Sequence, residues 1–178
     1  MRCLVALVGL SAVCSGCVAP DCDNKDCGSC GNACCRLEFA FAQSPYEVVH
    51  AINTSLGVGG PDGRYFALPL AEGPTGFVAL PPSVEASYIG QAIHTTFRRQ
   101  YNDTVNFEIL ETPTHTTLVR CFSISQLGGS YCDAGQNFKN IVTLMKPVYS
   151  LFGLGFKYKH LDKSCPGPDI DLLQTNRN

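Results

Sequence analysis

From Arg36 onward the chain alternates apolar and polar positions. Leu37, Phe39 and Phe41 share one side, with Glu38 and Ala40 on the other, which predicts a strand. The period then lengthens. Ser44 is a good N-cap and Pro45 suits the first helical position, after which Val48, Val49, Ile52 and Leu56 recur at helical spacing until Gly57. The run Gly59-Gly60-Pro61-Asp62-Gly63 is a loop by composition.

Strand-like patterns fill the middle of the chain. Short candidates at 64–70 and 76–80 are each bounded by Pro or Gly. Over 88–97, Ile89, Ile93 and Phe97 share a face with Gln91 and Thr95. Over 104–110, Val105, Phe107 and Ile109 oppose Asn106 and Glu108. A turn at 112–115 leads into 117–126, which pairs back as an antiparallel hairpin, with Leu118, Phe122 and Ile124 on one face and Cys121, Ser123 and Ser125 on the other.

A second helix follows the Gly128-Gly129 loop. Asp133 is its expected cap, and Phe138, Ile141, Val142 and Met145 fall at i, i+3, i+4, i+7, building one apolar stripe. Pro147 should end or kink it. The order strand, helix, antiparallel strands, helix predicts an α+β domain over residues 36–152. Its curved antiparallel sheet would carry an early short helix and a C-terminal helix packed on it. Residues 153–178 read as a tail.

Composition changes the picture mainly at the N-terminus. Of 178 residues, 45% are hydrophobic and only 16% charged, enough for a core and too little charge for a disordered chain. The net charge of −2 offers no footprint for nucleic acid. Arg2 followed by the apolar run 4–13 and small residues to Ala19 reads as a signal peptide over 1–19 and predicts a secreted protein. An alternative makes Cys17 the acylated cysteine of a lipid-anchored protein. The apolar run is too short to span a bilayer, so no membrane span is expected.

Eleven cysteines fit the same compartment. Removing residues 1–19 leaves Cys22, Cys27, Cys30, Cys34, Cys35, Cys121, Cys132 and Cys165, an even set that predicts disulfides without fixing their pairing. Five lie within 22–35, a disulfide-rich N-terminal knob over 20–35. Zinc or redox chemistry there is disfavoured: no His lies in the segment, and Cys27-x-x-Cys30 has no strand–helix context.

Two resemblances attach to these patterns. The stretch 36–56, RLEFAFAQSPYEVVHAINTSL, resembles the opening of the START and polyketide-cyclase superfamily. That resemblance implies a helix-grip fold in which the C-terminal helix seals a ligand cavity. Residues 103–141 resemble a widespread family of unknown function with the signature D-x-V-E-F, R-S-x-S-R-x-G and D-x-G-x-N-x-x-R. The matching positions are Asp103, Val105 and Phe107, then Ser123, Ser125 and Gly128, then Asp133, Gly135 and Asn137. Phe122, Gln126 and Asn140 stand where that family places arginines, and Asn106 where it places Glu. This second resemblance implies a fold and a candidate site, not a reaction.

Chemistry-bearing motifs are sparse. His50, His94, His115 and His160 show no metal-ligand spacing, so neither a metal nor another cofactor is expected. No GxSxG elbow and no phosphate-loop spacing occur. Asn53 and Asn102 begin formal glycosylation sequons, Asn102 being the better placed. The polar residues Asp103, Asn106, Ser123, Ser125, Asp133 and Asn137 are expected at one rim, as a hydrogen-bonded latch or as the mouth of a cavity. The leading functional expectation is a carrier for a small apolar or lipid-like ligand. The alternatives are a structural or interaction protein with a filled core, and a hydrolase or cyclase using Asp103 or Asp133.

Overall fold

The computed structural model describes residues 33–67, 76–98, 101–127 and 135–161. The leader, most of the cysteine knob, Cys132, Asp133 and Cys165 lie outside the described residues. Seven strands and two helices occur in the order β1 (Cys34–Phe41), α1 (Pro45–Gly57), β2 (Tyr65–Ala67), β3 (Phe77–Ala79), β4 (Ala86–Thr95), β5 (Asn102–Glu111), β6 (Thr117–Ser125), α2 (Gln136–Leu151), β7 (Lys159–His160). The strands form one curved, open antiparallel sheet in the order β2-β4-β5-β6-β1-β7, and β3 pairs with β4 as well. The domain is α+β, as the pattern predicts.

The pleat decides which residues face the helices. Leu37, Phe39 and Phe41 of β1, Val105, Phe107 and Ile109 of β5, and Val119 and Cys121 of β6 join the buried residues of both helices in one cluster. The helix face of β6 is therefore the one carrying Cys121 and Ser123; Phe122 and Ile124 pack separately, with Cys34. On the opposite face Arg120 bonds Glu38 on β1 and Glu108 on β5, both at 3.3 Å. Burial works against the guanidinium charge there, but the two carboxylates outweigh it and raise the Arg120 pKa.

Helix α1 begins as its sequence dictates. Ser44 and Glu47 form a reciprocal capping box, with Pro45 in the first turn. Helix α2 departs from expectation at both ends. Its N-cap is Gly135 in the left-handed region (φ 75°), with no side-chain cap. It also runs through Pro147 to Leu151. The lost amide costs one helical bond, while Val148 and Tyr149 beyond it are buried and hold the last turn to the core.

Two further expectations need correction. Cys121, assigned above to a disulfide, is a free buried thiol, because it points between sheet and helices among apolar neighbours. The segment after α2 is also no simple tail. Phe152, Leu154, Phe156 and Tyr158 pack against the core, and β7 then pairs Lys159 with Glu38 and His160 with Leu37.

Candidate functional site

The buried polar groups converge where α2 begins over β4, β5 and β6. The register sets His94, Asp103 and Ser125 side by side across three strands, with Val105 opposite Ser123. Asn137 and Asn140, at i and i+3, point from α2 into this row. Ser123 Oγ donates to Asn137 Oδ1 at 2.6 Å, and Asn137 Nδ2 donates to the Ala33 carbonyl at 2.9 Å. Asn140 Nδ2 donates to Asp103 Oδ2 at 2.8 Å and approaches Ser123 Oγ at 3.3 Å. Its Oδ1 accepts from Gln136 Nε2 at 2.7 Å. One polar cluster thus ties the helix start to the entry of β1 and to two central strands.

The loop before β2 extends the cluster. Tyr65 O–H donates to the Asn140 carbonyl at 2.6 Å, and its ring lies 4.5 Å from that of His94. Burial first, and then the Asp62 carboxylate, push the Tyr65 phenol well above its usual range. His94 Nε2 bonds Asp62 Oδ2 at 3.0 Å, while its Nδ1 is buried without a hydrogen-bond partner. Asp62 also binds the Arg64 guanidinium at 2.7 Å. Gly60 is required here: its φ is +70°, and a Cβ would lie 2.3 Å from the Tyr65 ring.

Of the residues read from sequence, Asp103, Ser123 and Asn137 meet as expected, and Ser125 is buried in the same row. Asn106 does not join them. It lies on the opposite face of β5, where its Oδ1 accepts from Gln91 Nε2 at 2.6 Å, because adjacent residues of a strand point to opposite faces. Asp133 lies outside the described residues. Asn102 is exposed at the start of β5 and Asn53 is half-buried on α1. Sequence reading passed over Asp62 and Tyr65, weighed His94 only as a metal ligand, and marked Asn140 only as standing where the resembled family places an arginine. Asn140 had a signal: two asparagines at helical spacing interrupt the start of an apolar stripe, and buried amides need partners.

A second feature lies at the far edge of the sheet. β7 pairs with only two residues of β1; the segment 154–158 then diverges from residues 39–42. The gap is a cleft of about 550 Å³, lined by Phe39, Ala40, Tyr149, Leu154 and Tyr158, with Glu38, Lys157 and Lys159 at its rim. Tyr149 closes its inner end. The phenol accepts from the Ala40 N–H at 3.2 Å and donates to the Ala40 carbonyl at 3.0 Å. Burial raises the Tyr149 pKa, and the bond to Ala40 offsets part of that rise. The aromatic wall is continuous, since Phe39 contacts Tyr149, Phe156 and Tyr158 at ring separations of 6.0–6.4 Å.

Among the described residues, no group of three or more His, Cys, Asp or Glu could hold a metal ion, and no helix is long and apolar enough to cross a membrane. No family model matches the chain, and no curated protein matches it. Among solved structures it is similar to a Staphylococcus aureus protein of unknown function, at 11% identity and a TM-score of 0.28, over 68% of this chain and 86% of that one.

Proposed function

We propose that the protein is an exported binding module that takes a small amphipathic molecule into the cleft between β1 and the 154–158 segment. One observation carries this reading: the cleft has the volume of a small-molecule site and walls of aromatic and aliphatic side chains. Lys157 at the rim is exposed and makes no ion pair among the described residues, which favours a ligand with a negative head group and an apolar body. The signal-like leader and the cysteine content support export.

The ligand is placed at the edge because the buried side chains of the helices and the sheet form one contact cluster. The buried polar cluster is read as a latch, since Ser123, Asn137, Asn140 and Asp103 bond one another. An acid–base role for Asp103 draws less support, because Asn140 engages its carboxylate beneath α2.

The test uses anilinonaphthalene sulfonate, an amphipathic anion, with fluorescence as the readout. Leu154→Gln and Lys157→Glu should each weaken binding about tenfold, the equivalent of about 1.4 kcal/mol. Asn137→Leu should leave binding unchanged in the folded protein. Equal binding by the cleft variants and the parent overturns the cleft assignment. A second reading, a filled-core protein acting through its outer surface alone, is favoured by the closed polar latch and predicts no binding by any variant.

A further inference from the structure

Nine large apolar side chains are exposed among the described residues, and three of them stand at one end of the sheet. Phe97 is 86% exposed, and Tyr101 and Leu127 are each 50% exposed. Phe97 and Tyr101 belong to the β4–β5 hairpin, closed by the Thr96 N–H bonding the Tyr101 carbonyl at 3.0 Å. Leu127 lies just past the end of the neighbouring β6, where the Gln126 N–H bonds the Asn102 carbonyl at 3.0 Å. The other exposed apolar residues are spread over both helices and the remaining loops and strands, as on any soluble surface.

Charge accompanies this apolar tip. Arg98 sits between the two aromatics, exposed and without an ion pair among the described residues. Arg99 follows it in sequence, and residues 96–101 contain no acidic side chain. A locally cationic tip on a chain of net charge −2 is not a product of overall composition.

We infer that this hairpin tip docks on an anionic lipid surface, with Phe97, Tyr101 and Leu127 entering the headgroup layer and Arg98 pairing with lipid phosphates. Aromatic rings favour that depth, and nearby cations are drawn to anionic lipid. Three exposed apolar side chains suit a membrane better than a folded partner. A standard protein interface needs about 800 Å² per side, whereas insertion into a fluid layer needs no matching shape. This inference is independent of the cleft: the tip lies at the Ser125 end of β6, and the cleft near the Thr117 end.

The test is sedimentation of the full chain with vesicles of phosphatidylcholine alone or mixed equally with phosphatidylglycerol, together with hydrogen exchange of the tip amides on the mixed vesicles. The chain should partition onto the mixed vesicles, with the amides of Phe97, Arg98 and Tyr101 protected. Phe97→Ser with Tyr101→Ser should lower partitioning about tenfold. Arg98→Gln, which disturbs no packed residue, should lower it about fivefold, the weight of one cation at an anionic surface. Parent and variants sedimenting alike, or tip amides exchanging as in vesicle-free solution, would overturn the inference. So would a vesicle-free change of oligomeric state in the double variant, which would make the tip a contact between copies. The anilinonaphthalene sulfonate readout should not change in either tip variant, so failure of one proposal leaves the other standing.

Discussion

Cys121 lies on β6 opposite Leu37 on one side and Phe107 on the other. Burial raises its thiol pKa above the ordinary 9.0. An acid whose pKa is raised by folding contributes stability that is whole below its unfolded value and is lost as pH rises through the folded one. Stability should therefore fall above pH 9, at a slope approaching 1.4 kcal/mol per pH unit from this one group. Urea midpoints measured between about pH 8 and pH 10 check this, and Cys121→Val should flatten the fall. The same thiol should resist alkylation in the native protein and react once the chain is unfolded. At the polar cluster, Asn140→Leu should cost about 3 kcal/mol in urea unfolding, because it removes the buried hydrogen bond to the Asp103 carboxylate and the approach to Ser123 Oγ. A loss below about 0.5 kcal/mol would mean that the latch carries little of the fold.

At the scale of elements, the two helices are held by different means. Ser44→Ala removes the α1 cap and should cost about 1 kcal/mol. Glu47, whose pKa the Ser44 hydrogen bonds lower from 4.5, adds a contribution that is present above pH 4.5 and lost as acid takes the group through its lowered value. The difference in thermal midpoint between parent and Ser44→Ala should therefore shrink on acidification. For α2 the apolar stripe dominates, so Phe138→Ala should cost about 3–5 kcal/mol, read from denaturant curves. These elements were legible because local rules and tertiary packing agree in them: the capping box at Ser44, the stripe from Phe138, the alternation through Phe107. Where the two disagree, sequence misleads. Pro147 argues for a helix end, yet burial of Val148 and Tyr149 carries the helix past it. Phe152, Leu154, Phe156 and Tyr158 do alternate with Gly and Lys, a strand signal lost among the glycines that precede the polar tail. The site was half legible. Strand parity brings Asp103, Ser123 and Ser125 to one face and, by the same rule, sends Asn106 to the other. Nothing short of the folded loop brings Asp62 to His94.

At the scale of the molecule, the two proposed sites lie at opposite ends of one sheet, an apolar cleft at the β1 edge and an apolar, arginine-bearing tip on the β4–β5 hairpin. Asn102, one residue from Tyr101, is exposed and begins a sequon, so a glycan there would hold the tip off a bilayer. Protein glycosylated at Asn102 should lose vesicle binding, and enzymatic deglycosylation should restore it. The Tyr149 phenol has a wider consequence. A sheet's last strand offers a row of amides and carbonyls to any chain that can pair with it, which is how folded proteins seed polymers. β7 blocks only the first part of that row on β1. The phenol, by holding both backbone groups of Ala40, acts as a one-residue false strand over the next part. Tyr149→Phe keeps the ring and removes this guard, so it should leave the monomer folded yet prone to join β1 to β1 across copies. Light scattering would then rise with protein concentration, and thioflavin-positive material would form from a chain whose core is unchanged.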